Sequence, residues 1–168
     1  VAGIDVVDPI GVDLVGVDKL RALDHQYGNR IHTLLASAHN IEQAVLDADL
    51  VIGSALVAGA AAPKLVSRAL VARMKKGSVV VDVAIDQGGC FETSHPTTHD
   101  DPIFEVDGIV HYCVANMPGA VPITSTKALT NVTLPYVEAI ADKGLARAIA
   151  DDPALAKGVN TIAGKLTY

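Results

Sequence analysis

The sequence predicts a doubly wound α/β domain built on a parallel sheet, with helices at its C-terminal end, and three observations carry that expectation. Aliphatic runs alternate with helical stretches in the order strand, helix, strand, helix, strand, helix, strand, strand, which is the order of a parallel sheet with helices on its faces. One run, Ser78 to Ala84, is apolar at nearly every place, the pattern of a strand buried on both faces. Half of the 168 residues are hydrophobic but only 4% are aromatic, and such short branched side chains suit central strands under helices.

Taken in order, Val1 to Val17 is rich in Val, Asp and Gly and predicts short strands at Ile4 to Val7 and Val12 to Val15. Asp18 is placed to cap a helix from Lys19 to Tyr27, which Gly28-Asn29 stops. Arg30 to Leu35 reads as a strand, Asn40 as the cap of a helix from Ile41 to Ala48, and Leu50 to Ser54 as the next strand. Pro63 suits the first turn of a helix spanning Lys64 to Met74, which Lys75-Lys76-Gly77 closes with cations at the dipole's negative end. After the central strand, Cys90 to Asp107 shows no period and reads as a long loop. Ile109 to Val114 is a strand, Thr124 to Ala141 a long helix interrupted around Pro135, and the tail from Lys143 holds a further helical piece.

Composition excludes several classes. A net charge of −6 leaves no basic stripe for a nucleic-acid backbone. No apolar run reaches the roughly 18 residues of a membrane span, and no basic-then-apolar signal opens the sequence. Two cysteines, Cys90 and Cys113, fit reduced thiols in a cytoplasmic protein better than a disulfide framework. His25, His32 and His39 recur every seven residues, but Gly28-Asn29 prevents one helix from carrying all three, and no metal site is expected there or among His95, His99 and His111.

The candidate site lies where the central strand stops, at Asp86-Gln87-Gly88-Gly89. A carboxylate at the carboxyl end of a buried strand, followed by glycines that let backbone approach a ligand, sits where open α/β sheets place their chemistry. The plainer alternative is a turn in which Asp86 serves only its own backbone. A second strand end, Asn116-Met117-Pro118-Gly119, breaks off in the same way, and a ligand in the crevice between the two ends is the default expectation. Cys90 beside that site reads as a small buried residue, since no base is near it in sequence.

The segments DLVIGSALV (Asp49 to Val57), APKLV (Ala62 to Val66), GSVVVDVAIDQGGCFETSHPTTHDDP (Gly77 to Pro102), HYCVANMPGAVPITST (His111 to Thr126) and ALTNVTLPY (Ala128 to Tyr136) together resemble the alanine dehydrogenase family. That resemblance implies a Rossmann-type domain binding NAD, an activity that interconverts L-alanine with pyruvate and ammonia, and a homohexamer. It further implies that Asp86 is catalytic beside the nicotinamide. Val83, Ala84 and Ile85 would then line one side of the ring and Val114, Ala115, Asn116 and Met117 the other, with Ala55 and Leu56 against the adenosine half. Lys19 matches a lysine near the adenine ribose, and His95 stands where some members carry an arginine.

The departures from the family pattern set the domain expectation. No GxGxxG turn occurs anywhere, Leu14 stands where the ribose-binding acid belongs with Asp13 one place away, and Ala36 replaces a common serine. Residues 1–17 are therefore expected to be a divergent segment, 18–122 an NAD-binding domain, and 123–168 helices that pack on a substrate domain. The alternatives are a nicotinamide nucleotide transhydrogenase alpha-subunit domain, or a non-catalytic module that keeps the sheet without the glycine turn.

Overall fold

Short aliphatic runs fix the strands, and the residues that end them fix the connections. The structure, a computed structural model, describes residues 4–7, 17–55, 57 and 60–167. The chain divides into two compact units, Val1–Met117 and Pro118–Tyr168.

In the first unit β1 (Ile4–Val7) pairs in parallel with β2 (Ile31–Leu34), Ile4 opposite Ile31. The helix α1 (Val17–Tyr27) lies against β2, and α2 (Ala38–Asp47) follows it. A four-stranded sheet then forms in the order β3 (Leu50–Gly53), β4 (Val79–Asp82), β6 (Ile109–Tyr112) and β5 (Ile103–Val106). β3, β4 and β6 run parallel, while β5 is antiparallel to β6. These mostly parallel strands, with helices between them, are the Rossmann-type α/β architecture the sequence predicts. The core under the sheet gathers Ile41 and Val45 from α2, Val71 and Met74, Val80, Phe91 and Ile109.

Several expectations change in detail. The expected strand Val12 to Val15 lies outside the described residues. The helix α2 begins earlier, because the Ser37 hydroxyl accepts from the Asn40 amide and caps it; Asn40 instead sends its side chain back to the Leu35 carbonyl. The expected helix from Lys64 shrinks to α3 (Arg68–Val71), capped by Ser67. Lys64 to Val66 stays extended because Leu65 N and Val66 N both donate to the Cys90 carbonyl, and Val66 bridges Phe91. The presumed loop after Cys90 contains β5, whose register opposite β6 places Phe104 against His111.

In the second unit α4 (Pro122–Lys143) runs unbroken through Pro135, which costs one ladder hydrogen bond without ending the helix. Gly144, with φ of 73°, separates it from α5 (Leu145–Asp151). Asp152 then caps α6 (Pro153–Lys157), and a two-stranded hairpin, β7 (Thr161–Ile162) with β8 (Lys165–Leu166), follows. Among the described residues no helix is long and apolar enough to cross a membrane.

Candidate functional site

The parallel pairing of three strands builds the site. β4 has β3 on one side, Gly53 opposite Asp82, and β6 on the other, Val81 opposite Tyr112, so the three strands end on one edge of the sheet. The segments that follow them leave from that edge: Ala55 after β3, Val83–Gln87 after β4, and Cys113 to Met117 after β6. Thr97 ties the last segment down, its amide donating to the Cys113 carbonyl (2.9 Å) and its carbonyl accepting from Ala115 N (3.2 Å).

The strand reading of Ser78 to Ala84 is corrected here. β4 stops at Asp82, and Val83–Gln87 coil into a short 3-10 helix closed by Gly88 at φ 94°. Apolar residues continue through Ile85, so their pattern hides the turn. Asp86 stands exposed on this helix, Val83 is also exposed, Ala84 is half-buried, and Ile85 turns inward to the core. Ala55 and Val114 are buried, Ala115 and Asn116 exposed, and Met117 half-buried. Asn116 adopts a left-handed conformation (φ 58°), and its carbonyl accepts from the His99 ring at 3.1 Å.

His95 is exposed and stacks on Phe104, centroids 3.7 Å apart, and Phe104 in turn stacks on His111 at 4.9 Å. Lys19 stands in the first turn of α1, in the layer of β2, rather than on a segment leaving the edge. Leu56 lies outside the described residues. A depression of about 400 Å³ lies along β2, lined by Asp24, Gly28, Ile31, His32, Thr33 and Leu34, and includes none of the candidate catalytic or cofactor-binding residues. We place the site by the strand ends instead, because a ligand crevice in an open parallel sheet forms beyond their carboxyl termini. Among the described residues no cluster of three or more His, Cys, Asp and Glu side chains is arranged to hold a metal.

Three polar groups that sequence reasoning passes over support this edge. Asp82, the last residue of β4, is fully buried, and its Oδ2 accepts from Cys90 N (2.9 Å), Phe91 N (3.3 Å) and the Ser94 hydroxyl (2.6 Å). Lys64 reaches the same turn from the other direction, its ammonium donating to the carbonyls of Gly88 and Phe91. His111 is fully buried in β6; its Nδ1 donates to the Ile109 carbonyl (2.9 Å) and its Nε2 accepts from the Thr93 hydroxyl (2.7 Å). A carboxylate amid valines, Val79 to Val83, was the visible signal for Asp82, but its partners are distant in sequence.

Burial sets the charge states nearby. It pushes the His111 imidazole below its ordinary value, with the Ile109 carbonyl opposing that shift. It pushes the Cys90 and Cys113 thiols up, so neither is poised as a thiolate. Two close approaches demand glycine. A Cβ on Gly53 would lie 2.6 Å from the Phe91 ring, and one on Gly89 would lie 2.5 Å from Asp82 Oδ2.

Comparison with known proteins places this arrangement. Residues 10–168 match the family model described as alanine dehydrogenase/PNT, C-terminal domain. An alanine dehydrogenase of Halomonas elongata is 58% identical over 163 residues, covering 95% of this chain and 44% of that protein. A solved structure titled L-alanine dehydrogenase superposes with a TM-score of 0.87 at 50% identity, covering 99% of this chain and 44% of the other. The structure of a transhydrogenase from Sinorhizobium meliloti is more distant, with a TM-score of 0.63 at 25% identity over 74% of this chain and 37% of that one. The chain thus spans less than half the length of the relatives it matches.

Proposed function

The chain belongs to the alanine dehydrogenase/PNT family as its C-terminal domain, and from that membership we propose that it is the cofactor-binding part of an NAD-dependent alanine dehydrogenase, which converts L-alanine reversibly to pyruvate and ammonia. The observation that carries this reading is the common edge on which the ends of β3, β4 and β6 bring Ala55, Val83 to Asp86 and Val114 to Met117 to one side of the sheet.

The residues present fit the nicotinamide half of NAD. Exposed Val83 and half-buried Ala84 offer an apolar wall, exposed Ala115, Asn116 and half-buried Met117 offer another, and Asp86 stands between solvent and edge. Bound there, the nicotinamide supplies a hydride acceptor. The Asp86 carboxylate favours the iminium cation left on the substrate carbon, and orients the water that attacks it. Ile85 contributes by backbone alone, since its side chain belongs to the core. Ala55 keeps the floor of the adenosine side small. Leu56, Lys19 and His95 complete the proposed cofactor contacts by resemblance. No diphosphate-binding glycine turn occurs in the 168 residues, so NAD bound by this stretch alone lacks that charge-assisted anchoring.

In this reading residues 18–122 form the NAD-binding domain, 123–168 pack on a substrate domain, and 1–17 are a divergent segment. The protein is cytoplasmic and assembles as a homohexamer, neither of which a membrane or nucleic-acid partner enters. Light scattering on the purified protein tests the assembly.

The decisive experiment replaces Asp86 with Asn in the protein as its gene encodes it and follows alanine-dependent NADH formation. We expect a loss of about a hundredfold or more; a variant as fast as the wild type sinks the assignment. The likeness to the transhydrogenase supports a second reading, an alpha-subunit domain of such an enzyme. Hydride exchange between NADH and an NADP analogue, without response to alanine, selects it.

A further inference from the structure

Asp86 rides on an arch whose two feet are held by one buried carboxylate. Asp82 is the first foot. The second is Cys90-Phe91, whose amides donate to Asp82 Oδ2 at 2.9 and 3.3 Å, with Ser94 adding its hydroxyl at 2.6 Å. Between them the arch is internally tied, Gly88 N donating to the Ile85 carbonyl (2.9 Å) and Gly89 N to that of Ala84 (3.0 Å). Lys64 takes the carbonyls of Gly88 and Phe91, so a cation holds the turn from the side opposite the carboxylate's two amides. Gly89, at φ 77°, passes so close to Oδ2 that no other residue fits.

Stability alone does not explain this choice. A fully buried carboxylate costs desolvation, and apolar or neutral replacements of buried charges are often tolerated or stabilising. Asp82 Oδ1 is moreover buried without a hydrogen-bond partner among the described residues. What the charge achieves is to close the loop from Asp82 to Cys90 at a defined geometry, with Asp86 at its middle.

We propose that Asp82 is a positioning residue, which fixes the arch Val83 to Ser94 and thereby holds Asp86 at the reacting carbon. The proposal rests on the dehydrogenase reading for its consequence in turnover, and on geometry alone for the clamp. Its test therefore has two readouts. In Asp82→Asn, hydrogen exchange at the Cys90 and Phe91 amides rises by about tenfold or more while Val80 and Val81 stay protected. In the same variant kcat falls by about tenfold to a hundredfold, with KM for NAD within about threefold.

Unchanged exchange at Cys90 and Phe91 overturns the proposal, as does a rise shared equally by Val80 and Val81, which marks a purely structural role. A loosened arch with wild-type kcat overturns it too. Where Asp82→Asn does not fold, Ser94→Ala, which removes one of the three donors, carries the same readouts with smaller changes of the same sign. A wild-type protein that turns over no alanine overturns the dehydrogenase reading instead, and exchange alone then decides whether Asp82 clamps the arch.

Discussion

Two stretches of this chain hold similar aliphatic side chains under opposite conditions. Around the end of β4, Val80, Phe91, Ile109 and Val114 are buried to 1% exposure or less, whereas on α4 Ile123, Leu129, Val132, Leu134 and Val137 are each more than half exposed. The difference lies in how each stretch meets its hydrogen bonds. Near β4 the partners are distant in sequence: Asp82 with Cys90 and Ser94, Thr93 with His111, Val79 with Asp49. On α4 they are local, the helix ladder plus Thr130 to Thr126 and Thr133 to Leu129. The hydrogen bonds of the first stretch therefore depend on several elements arriving together, whereas those of the second are satisfied within its own helix.

The sharpest way to test that contrast is to remove the most central side chain. Phe91 lies against Gly53 so closely that a methyl there would strike its ring, and it is 1% exposed. Phe91→Ala leaves a cavity that the rigid strand ends cannot collapse, and should cost about 3–5 kcal/mol. Urea unfolding followed by far-UV circular dichroism measures it. A loss below about 1 kcal/mol would mean that the sheet edge repacks freely, and would remove the distinction from α4.

The same contrast explains what could be read from the sequence. The α/β order and the strands at Leu50, Val79 and Ile109 are legible because each is an aliphatic run, which in β4 and β6 alternates buried with half-buried side chains. Asp86-Gln87-Gly88-Gly89 is legible because a polar break after such a run is conspicuous. The turn at Val83 is not, since Val83, Ala84 and Ile85 continue the apolar pattern while the backbone coils, and only the structure separates an exposed Val83 from a buried Ile85. β5 escapes notice because its two inward residues, Phe104 and Val106, alternate with exposed Ile103 and Glu105 over four residues, too short a period to stand out between Pro102 and Asp107. Asp82 is visible as a carboxylate among valines, but its role depends on amides eight and nine residues away that no local pattern announces.

A milder perturbation uses pH, which acts on the buried region through three groups. His111 has its pKa held below 6.5 by burial, so the unfolded chain takes up its proton first as pH falls. Its contribution to stability is full above 6.5 and is lost progressively below it. Cys90 and Cys113 have pKa values raised above 9.0, so the unfolded chain releases their protons first and stability falls as pH rises past 9.0. Stability measured against pH should therefore fall at both ends. In His111→Gln the decline on the acid side should become shallower; an unaltered acid slope would show that His111 is not among the groups responsible.

The smallest effect is expected on the helix. Leu129 is 63% exposed in the middle of α4, and glutamine matches leucine closely in helix propensity. In these 168 residues taken alone, Leu129→Gln should therefore change the unfolding free energy by no more than about 0.5 kcal/mol, because little apolar surface returns to water. The same replacement at a covered position would cost several times as much. A loss approaching that of Phe91→Ala would mean that the α4 face is covered in the protein as it exists in solution, and light scattering on the two variants would then distinguish cover by another copy, seen as a fall in assembled mass for Leu129→Gln alone, from cover within one chain, where the mass stays constant.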